Sequence, residues 1–106
     1  MVKSYLLGQI TISDKSQYKI YDSRIGKVIE ELGGKYLVKG GLRMVKEGSP
    51  SFQRDVLVEF KDIKTAQLFL SSQQFKEISK FRKAGSSGFL ILVEGKLNSF
   101  LKIMFD

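Results

Sequence analysis

Apolar and polar residues alternate near the start of the chain, from Tyr5 to Ile12. Alternation is the period of a β-strand, so this stretch predicts a first strand with two partly apolar faces. Asp14 follows, three residues before Gln17, which is the spacing of a helix N-cap. Apolar residues then recur at helical intervals, which predicts a helix from about Lys15 to Leu32 that ends at Gly33 in a left-handed cap.

A short apolar run closed at both ends by paired glycines comes next, between Gly33-Gly34 and Gly40-Gly41. Paired glycines cost backbone entropy and are used where a chain turns or where another backbone comes close. The first pair therefore predicts the start of a second strand, Lys35 to Lys39. The second pair predicts a bend, after which the same strand continues from Leu42 to Glu47.

The second half of the chain predicts two further strands around a helical region. Gly48 to Phe52 contains the only proline and predicts a turn. Asp62 predicts the start of a helix, and Ser71 repeats the capping spacing, so the helix breaks and restarts there. The two strands are Val56 to Phe60, as partner of the second strand, and Phe89 to Glu94, after a turn at Gly85 to Gly88.

This order of strand, helix, strand, strand, helix, strand predicts an α+β fold, with helices on one face of an antiparallel sheet. The 106 residues, 42% of them hydrophobic, suit a single core. We expect one domain over residues 1–95. The apolar tail, residues 96–106, is expected to dock, to add a strand or to cross to a partner subunit.

The sheet face opposite the helices is expected to be too apolar for water. A few hundred Å² of exposed apolar sheet would meet either a second subunit or a ligand. Polar residues within this face either form an ion pair that fixes the strand register or serve a ligand or a proton transfer, and both interpretations stay open. With Leu6, Ile10 and Ile12 toward the helices, the face is predicted to contain Tyr5, Leu7, Gln9, Leu37, Lys39, Leu57, Glu59, Leu90, Leu92 and Glu94.

The chain contains no cysteine and no histidine. The sequence therefore excludes disulfides and thiolate metal sites. It also excludes histidine ligands for zinc or haem and histidine-dependent catalytic triads. We expect no cofactor and no metal, and any chemistry would use Tyr, Lys, Arg, Asp or Glu. No apolar run approaches ~18 residues and no signal-peptide pattern is present, so we expect a cytoplasmic protein without a membrane partner.

The formal charge of +7 is spread along the chain. Residues 1–60 hold ten Lys or Arg against seven acids, and residues 61–106 hold eight against four, which favours a solvated surface over a polyanion site. The same element order underlies the RNA recognition motif, which stacks bases on aromatic side chains of its third strand. This chain has Asp55 and Leu57 there, which argues against a nucleic-acid partner.

Motifs spread along nearly the whole chain resemble those of a known family. They are Gly8-Gln9-Ile10, Asp14, Tyr18, Tyr21, the stretch Gly33 to Gly41, Glu47-Gly48, Arg54, Glu59-Phe60, Ala66, Phe69, Ser72 and Arg82. On these residues the sequence, from Tyr5 to Gly95, resembles the domain of unknown function 1330 family. The resemblance implies a ferredoxin-like fold of the dimeric α/β barrel type, in which two sheets close face to face, and hence a homodimer through the sheet face.

The sequence departs from that family at several positions. The family usually has a Trp near Gly48-Ser49-Pro50, a Tyr where Leu70 and Phe75 stand, and a proline in the first helix, where this chain has Gly26 nearby. If those aromatic groups contribute to a site, this member binds something different or nothing.

Related barrels include cofactor-independent oxygenases, isomerases and haem-degrading enzymes, by fold analogy alone. The absence of histidine argues against the haem branch. One hypothesis is therefore a dimer that binds a small organic ligand, anionic or neutral, in the barrel interior, with oxygenase or isomerase chemistry. The alternative is a non-catalytic interaction module, and whether the protein is an enzyme stays open.

The candidate site residues follow from that hypothesis. Glu59 or Lys39 would accept a proton, Arg54 and Arg82 would bind an anion, and Tyr18, Tyr21 and Gln9 would line the site. Each also has a structural interpretation: the tyrosines as core residues, Arg54 as a solvated side chain, and Arg82 as a cation at a helix C-terminus.

Overall fold

The computed structural model of the protein describes residues 2–97. The predicted C-terminal tail lies almost wholly outside these residues, so its role stays a prediction. The elements are β1 (Ser4–Ile12), α1 (Lys15–Glu31), β2 (Gly34–Lys39), β3 (Arg54–Phe60), α2 (Ile63–Ser71), α3 (Gln73–Gly85) and β4 (Ser86–Glu94).

The four strands form one antiparallel sheet in the order β2-β3-β1-β4. The predicted alternation of strands and helices is confirmed, and this order of strands is that of an α+β ferredoxin-like fold. Side chains from the helices and from one face of the sheet form a single core. Its buried members are Leu6, Ile10, Tyr18, Tyr21, Ile25, Ile29, Val58, Phe60, Ala66, Phe69, Phe75 and Ile78.

A polar side chain caps the N-terminus of each helix. The Asp14 carboxylate accepts hydrogen bonds from the backbone N–H groups of Ser16 and Gln17 at 3.0 and 3.2 Å, which confirms the predicted cap of α1. Asp62 caps α2 in the same way. Each cap satisfies backbone donors that would otherwise have no partner within the helix.

The cap of α3 lies one residue later than the sequence predicts. Ser72, not Ser71, accepts a hydrogen bond from the Phe75 N–H at 3.1 Å. The hydroxyl of Ser71 instead donates to the Gln67 carbonyl because this residue still belongs to α2, whereas Ser72 has extended backbone angles that suit an N-cap.

Two predicted strand boundaries are wrong. β2 ends at Lys39, and residues 42–47 form no strand, since Gly40 and Gly41 adopt φ of +69° and +91° and turn the chain away from the sheet. β4 begins at Ser86 directly after α3, so the predicted turn at residues 85–88 is absent from the described structure. The whole connection between β2 and β3, residues 40–53, is called the β2–β3 loop below.

The open face of the sheet, defined as the face that no helix of residues 2–97 covers, differs from the prediction on β4. Leu90 and Leu92 pack against the core because they pair with Gly8 and Leu6, and directly opposite residues of antiparallel strands share a face. Glu94 likewise pairs with the buried Ser4. The open face contains Tyr5, Leu7, Gln9, Thr11, Lys35, Val38, Asp55, Leu57, Glu59, Phe89, Ile91 and Val93.

Lys39 is also on the other face from the one predicted. A β-bulge between Tyr36 and Val38 inserts one residue, so Val38 pairs with Leu57 and Lys39 pairs with Val56. One extra residue reverses the side on which each later side chain lies. Lys39 therefore points toward α1, where it contacts Asp22.

Candidate functional site

Aromatic and charged side chains meet between α1, the C-terminal end of α3 and the β2–β3 edge of the sheet. We call this group the tyrosine–arginine cluster. It consists of Tyr18, Tyr21, Asp22, Tyr36, Lys39, Arg54 and Arg82.

Two tyrosines of α1 form the base of the cluster. Tyr18 and Tyr21 are three residues apart and so lie on one side of the helix, and their ring centroids are 5.6 Å apart. The guanidinium of Arg54 lies 5.8 Å from the ring centroid of Tyr18, and that of Arg82 lies 5.8 Å from the ring centroid of Tyr21. Each cation therefore lies over the electron-rich face of one phenol ring.

The backbone at the end of β2 makes room for Arg54. A Cβ atom added at Gly40 would meet the guanidinium group, so the flexible end of Arg54 would have to shift to admit a side chain here. The first glycine of the predicted bend therefore lies directly against a candidate ligand-binding arginine.

One carboxylate lies among the cations of the cluster. Asp22 Oδ1 is 3.5 Å from Arg54 Nη2 and 3.9 Å from Lys39 Nζ. Both distances are long for a charge-assisted hydrogen bond, which is typically about 2.7–2.9 Å. With Arg54, Arg82 and Lys39 against Asp22 alone, the cluster carries an excess of positive charge.

The tyrosine hydroxyls are held in their neutral form. Burial raises the pKa of Tyr21 to about 12, and the nearby Arg82 only partly opposes this effect. Burial likewise raises the pKa values of Tyr18 and Tyr36. At neutral pH these phenols are hydrogen-bond donors or neutral acceptors and do not act as phenolate bases.

The arginines leave two donors unused. The Nε atoms of Arg54 and Arg82 are buried, and within residues 2–97 neither has a hydrogen-bond partner. A buried N–H without an acceptor costs about 1–3 kcal/mol. Two such donors in one cluster favour a further acceptor there, such as an ordered water or a ligand oxygen.

A cavity borders the Arg54 side of the cluster and opens to the surface beside α1. Its volume is about 250 Å³, and it is lined by Ile12, Lys15, Tyr18, Lys19, Asp22 and Arg54. Two further lysines thus lie at its mouth, which makes the approach to the cluster attractive to an anion.

The open face of the sheet is a separate surface. One residue from every strand forms an apolar row across its centre: Val38, Leu57, Leu7 and Ile91. Leu7 is 40% exposed and Ile91 is 50% exposed. A hollow of about 380 Å³ lies along this row, with Gln9 and Asp55 at one end.

Polar residues lie on both sides of the apolar row, along the strands. On one side, Glu59 accepts a hydrogen bond from Lys3 at 3.3 Å. On the other side, Asp55 accepts from Gln9 at 3.0 Å and from Arg43 at 2.8 and 2.9 Å. The hydrogen bonds from Arg43 hold the pKa of the Asp55 carboxyl below its usual value.

The structure therefore divides the predicted site residues into two groups. It brings Tyr18, Tyr21, Arg54 and Arg82 together and adds Lys39 to them. Glu59 and Gln9 lie on the open face, on the other side of the sheet.

Some members of both surfaces were missed. Asp22 follows Tyr18 by four residues and so shares its helix face, a signal that was available in the sequence. Tyr36 lies within the double-glycine stretch. No local pattern predicts the Arg43–Asp55 pair, because the β2–β3 loop brings these two side chains together only in the folded chain.

Two features are absent from the described residues: a membrane-spanning helix and a metal-binding group of side chains. No helix within residues 2–97 is long and apolar enough to cross a membrane. In the same part of the chain, no group of three or more acidic side chains is arranged to hold a metal ion.

Solved structures share the fold. The protein of unknown function RPA0582 from Rhodopseudomonas palustris is 17% identical, with 91% of this chain and 84% of that chain covered and a TM-score of 0.71. SnoaB, a cofactor-independent oxygenase from Streptomyces nogalater, is 11% identical, with 93% and 98% covered and a TM-score of 0.64. A dimeric ferredoxin-like protein of unknown function from Bacteroides fragilis is 10% identical, with 88% and 96% covered and a TM-score of 0.52.

Sequence comparison gives the family. No curated protein matches the chain. A family model described as "Domain of unknown function (DUF1330)" matches residues 3–96, nearly the whole length. The chain belongs to this family, DUF1330, and it has the ferredoxin-like fold that the sequence resemblance implies.

Proposed function

We propose that the protein is a homodimer joined through the open face of the sheet, and that each subunit binds a small organic anion at the tyrosine–arginine cluster. The observation that carries the ligand proposal is the pair of buried Nε atoms, on Arg54 and Arg82, without a hydrogen-bond partner in residues 2–97. A carboxylate or enolate oxygen is the strongest kind of acceptor for such donors.

The cluster favours an anion with a small, partly apolar body. Aromatic rings form its base, while the cations and the neutral phenols supply donors. The 250 Å³ cavity is near the lower end of the size of small-molecule sites, which suits a compact carboxylate.

The dimer is supported by the apolar row. Leu7, Val38 and Ile91 are 37–50% exposed across the centre of a sheet, and exposed apolar sheet is typical of an interface. The fold is shared with a protein from Bacteroides fragilis that is described as dimeric.

A second candidate function is turnover of the bound anion by a cofactor-independent oxygenation or isomerisation. It is favoured by the fold shared with SnoaB and by Asp22, a carboxylate that lines the cavity and could accept a proton. The alternative is a binding module without catalysis. Recovery of the bound anion unchanged after incubation in air would support that alternative.

Calorimetric titration with small carboxylates tests the ligand proposal. We would use salicylate, succinate and acetoacetate, with salicylamide as the neutral match of salicylate. We expect at least one carboxylate to bind and salicylamide to bind much more weakly. Binding of none of the three at millimolar concentration would overturn the proposal.

Arginine variants test whether the carboxylate binds at the tyrosine–arginine cluster. Arg54→Gln should weaken the affinity roughly ten- to a hundredfold, because a hydrogen bond to a charged group contributes about 1.5–3 kcal/mol. Arg82→Lys keeps the charge but removes Nε, and it should weaken binding too. Arg24→Gln is the matched control, since Arg24 contacts Phe81 outside the cluster. Equal affinities for all three variants would place the ligand elsewhere.

A further inference from the structure

The β2–β3 loop exposes apolar side chains beside the open face. Leu42 is 92% exposed, Met44 is 66% exposed and Val45 is 53% exposed. Isolated exposed apolar residues are ordinary, but three within four positions form a patch that favours burial against another surface.

Arg43, in the middle of this patch, fixes the loop to the open face. Arg43 donates two hydrogen bonds to Asp55 in bidentate geometry and a third to the Phe52 carbonyl. Bidentate guanidinium–carboxylate pairs are geometrically specific. The exposed side chains on either side of Arg43 therefore belong to a part of the loop that is fixed in position.

The loop also reaches the opposite edge of the sheet. The Phe52 ring packs edge-on against Phe89 of β4, with centroids 5.6 Å apart, and the Gln53 N–H donates to the Ile10 carbonyl. Since Arg43 contacts β3 and Phe52 contacts β4, the loop crosses one end of the open face. Asp55 and Phe89, its two contacts, both line the 380 Å³ hollow.

The charge of this surface favours a second copy over a charged partner. The open face and the β2–β3 loop contain the cations Lys3, Lys35, Arg43 and Lys46 and the acids Glu47, Asp55 and Glu59. Lys3 pairs with Glu59 and Arg43 pairs with Asp55. The chain as a whole carries +7, so this surface is nearly neutral by comparison. A nearly neutral apolar surface can meet its own copy without repulsion.

We infer that, in the homodimer, the β2–β3 loop of each subunit packs onto the open face of the other, with Leu42, Met44 and Val45 against the partner's apolar row. The inference rests on the proposed dimer and adds that the loop completes the interface. It also adds that each hollow is closed by side chains from the partner. Two-fold symmetry makes the two contacts equivalent.

Sedimentation equilibrium of the full chain tests the loop. A triple variant, Leu42→Ser with Met44→Ser and Val45→Ser, should raise the dimer dissociation constant at least tenfold. Leu68→Ser is the matched control, because Leu68 is 62% exposed on α2, away from the open face. Ile91→Lys should give a monomer. All substituted residues are exposed, and circular dichroism checks that each variant folds.

The outcomes separate the loop inference from the proposed dimer. A triple variant with an unchanged dissociation constant, beside a monomeric Ile91→Lys, overturns the role of the loop and leaves the dimer standing. An Ile91→Lys variant that remains as dimeric as the unaltered chain overturns the dimer through the open face and the loop inference with it.

Crosslinking then tests the contact between subunits. The chain has no cysteine, so single cysteines can be placed freely. Chains with Leu42→Cys and chains with Ile91→Cys, mixed and treated with a short bismaleimide, should give a covalent heterodimer. Leu68→Cys mixed with Ile91→Cys should not. Equal yields from the two mixtures would contradict the proposed packing.

Discussion

Lys39 and Glu59 lie on neighbouring strands, and their side chains point to opposite faces of the sheet. The bulge between Tyr36 and Val38 is the cause, because it shifts Lys39 opposite Val56 while Glu59 pairs with Lys35. Lys39 contacts Asp22 under α1, and Glu59 contacts Lys3 on the open face. A ligand in the tyrosine–arginine cluster therefore meets the first of these side chains and not the second.

The two residues should have separable effects on anion binding. Lys39→Met should weaken the affinity for the carboxylate that binds the unaltered chain, because it removes one of three cations from the cluster. Glu59→Gln should leave that affinity unchanged. Calorimetric titration measures both, and a loss of affinity in Glu59→Gln alone would instead place the ligand on the open face.

Removal of the one carboxylate in the cluster should tighten anion binding. Asp22 lies 3.5 Å from Arg54 and repels an incoming anion. Asp22→Asn should raise the affinity roughly fivefold, which corresponds to about 1 kcal/mol. Glu30→Gln, at an exposed position of the same helix, makes the same change in net charge and should have little effect. Weaker binding by Asp22→Asn would show that the carboxylate supports the ligand.

Burial of Tyr21 predicts an alkaline loss of stability. Its folded-state pKa, about 12, exceeds the ordinary value of 10.0, so the folded state holds the proton more tightly than the unfolded state. The corresponding stability is present below about pH 10 and is lost as the pH rises toward about 12. Denaturant unfolding at several pH values should therefore show a smaller loss in Tyr21→Phe, and an equal loss would contradict the burial of its hydroxyl.

Close packing at the end of α3 should make Gly85 intolerant of a side chain. A Cβ at this position would lie 2.6 Å from the backbone nitrogen of Tyr18, so α1 would have to move. Gly85→Ala should destabilise the fold by about 1–3 kcal/mol. Gly26→Ala, inside α1 with no atom within 4 Å of its Cβ, should stabilise it by about 0.5–1 kcal/mol. Thermal unfolding of both variants checks the contrast.

Local signals in the sequence predicted most of the fold. The Asp14 and Asp62 caps, the glycine that ends α1 and the apolar spacing of the helices depend on neighbours a few residues away. The sequence allows Tyr18 and Tyr21 either as core residues or as site residues; the structure buries both in the core and brings each into contact with an arginine, and their role in a site stays a prediction.

The errors occur where strands pair over long distances. Leu90 and Leu92 were assigned to the wrong face because the apolar run of β4 has no alternation, and only its pairing with β1 fixes which side chains point inward. The continuation of β2 was wrong because glycine permits both a bend within a strand and a turn that leaves the sheet.

The sequence by itself determined the order of the elements, the helix starts and the family, because these depend on short-range periodicity, capping and a glycine-rich stretch. Only the tertiary structure decided that Arg54 and Arg82 converge on two tyrosines and that Lys39 joins them while Glu59 does not. The physical reason is that the face a strand side chain occupies depends on pairing register, and a single bulged residue on β2 reverses it.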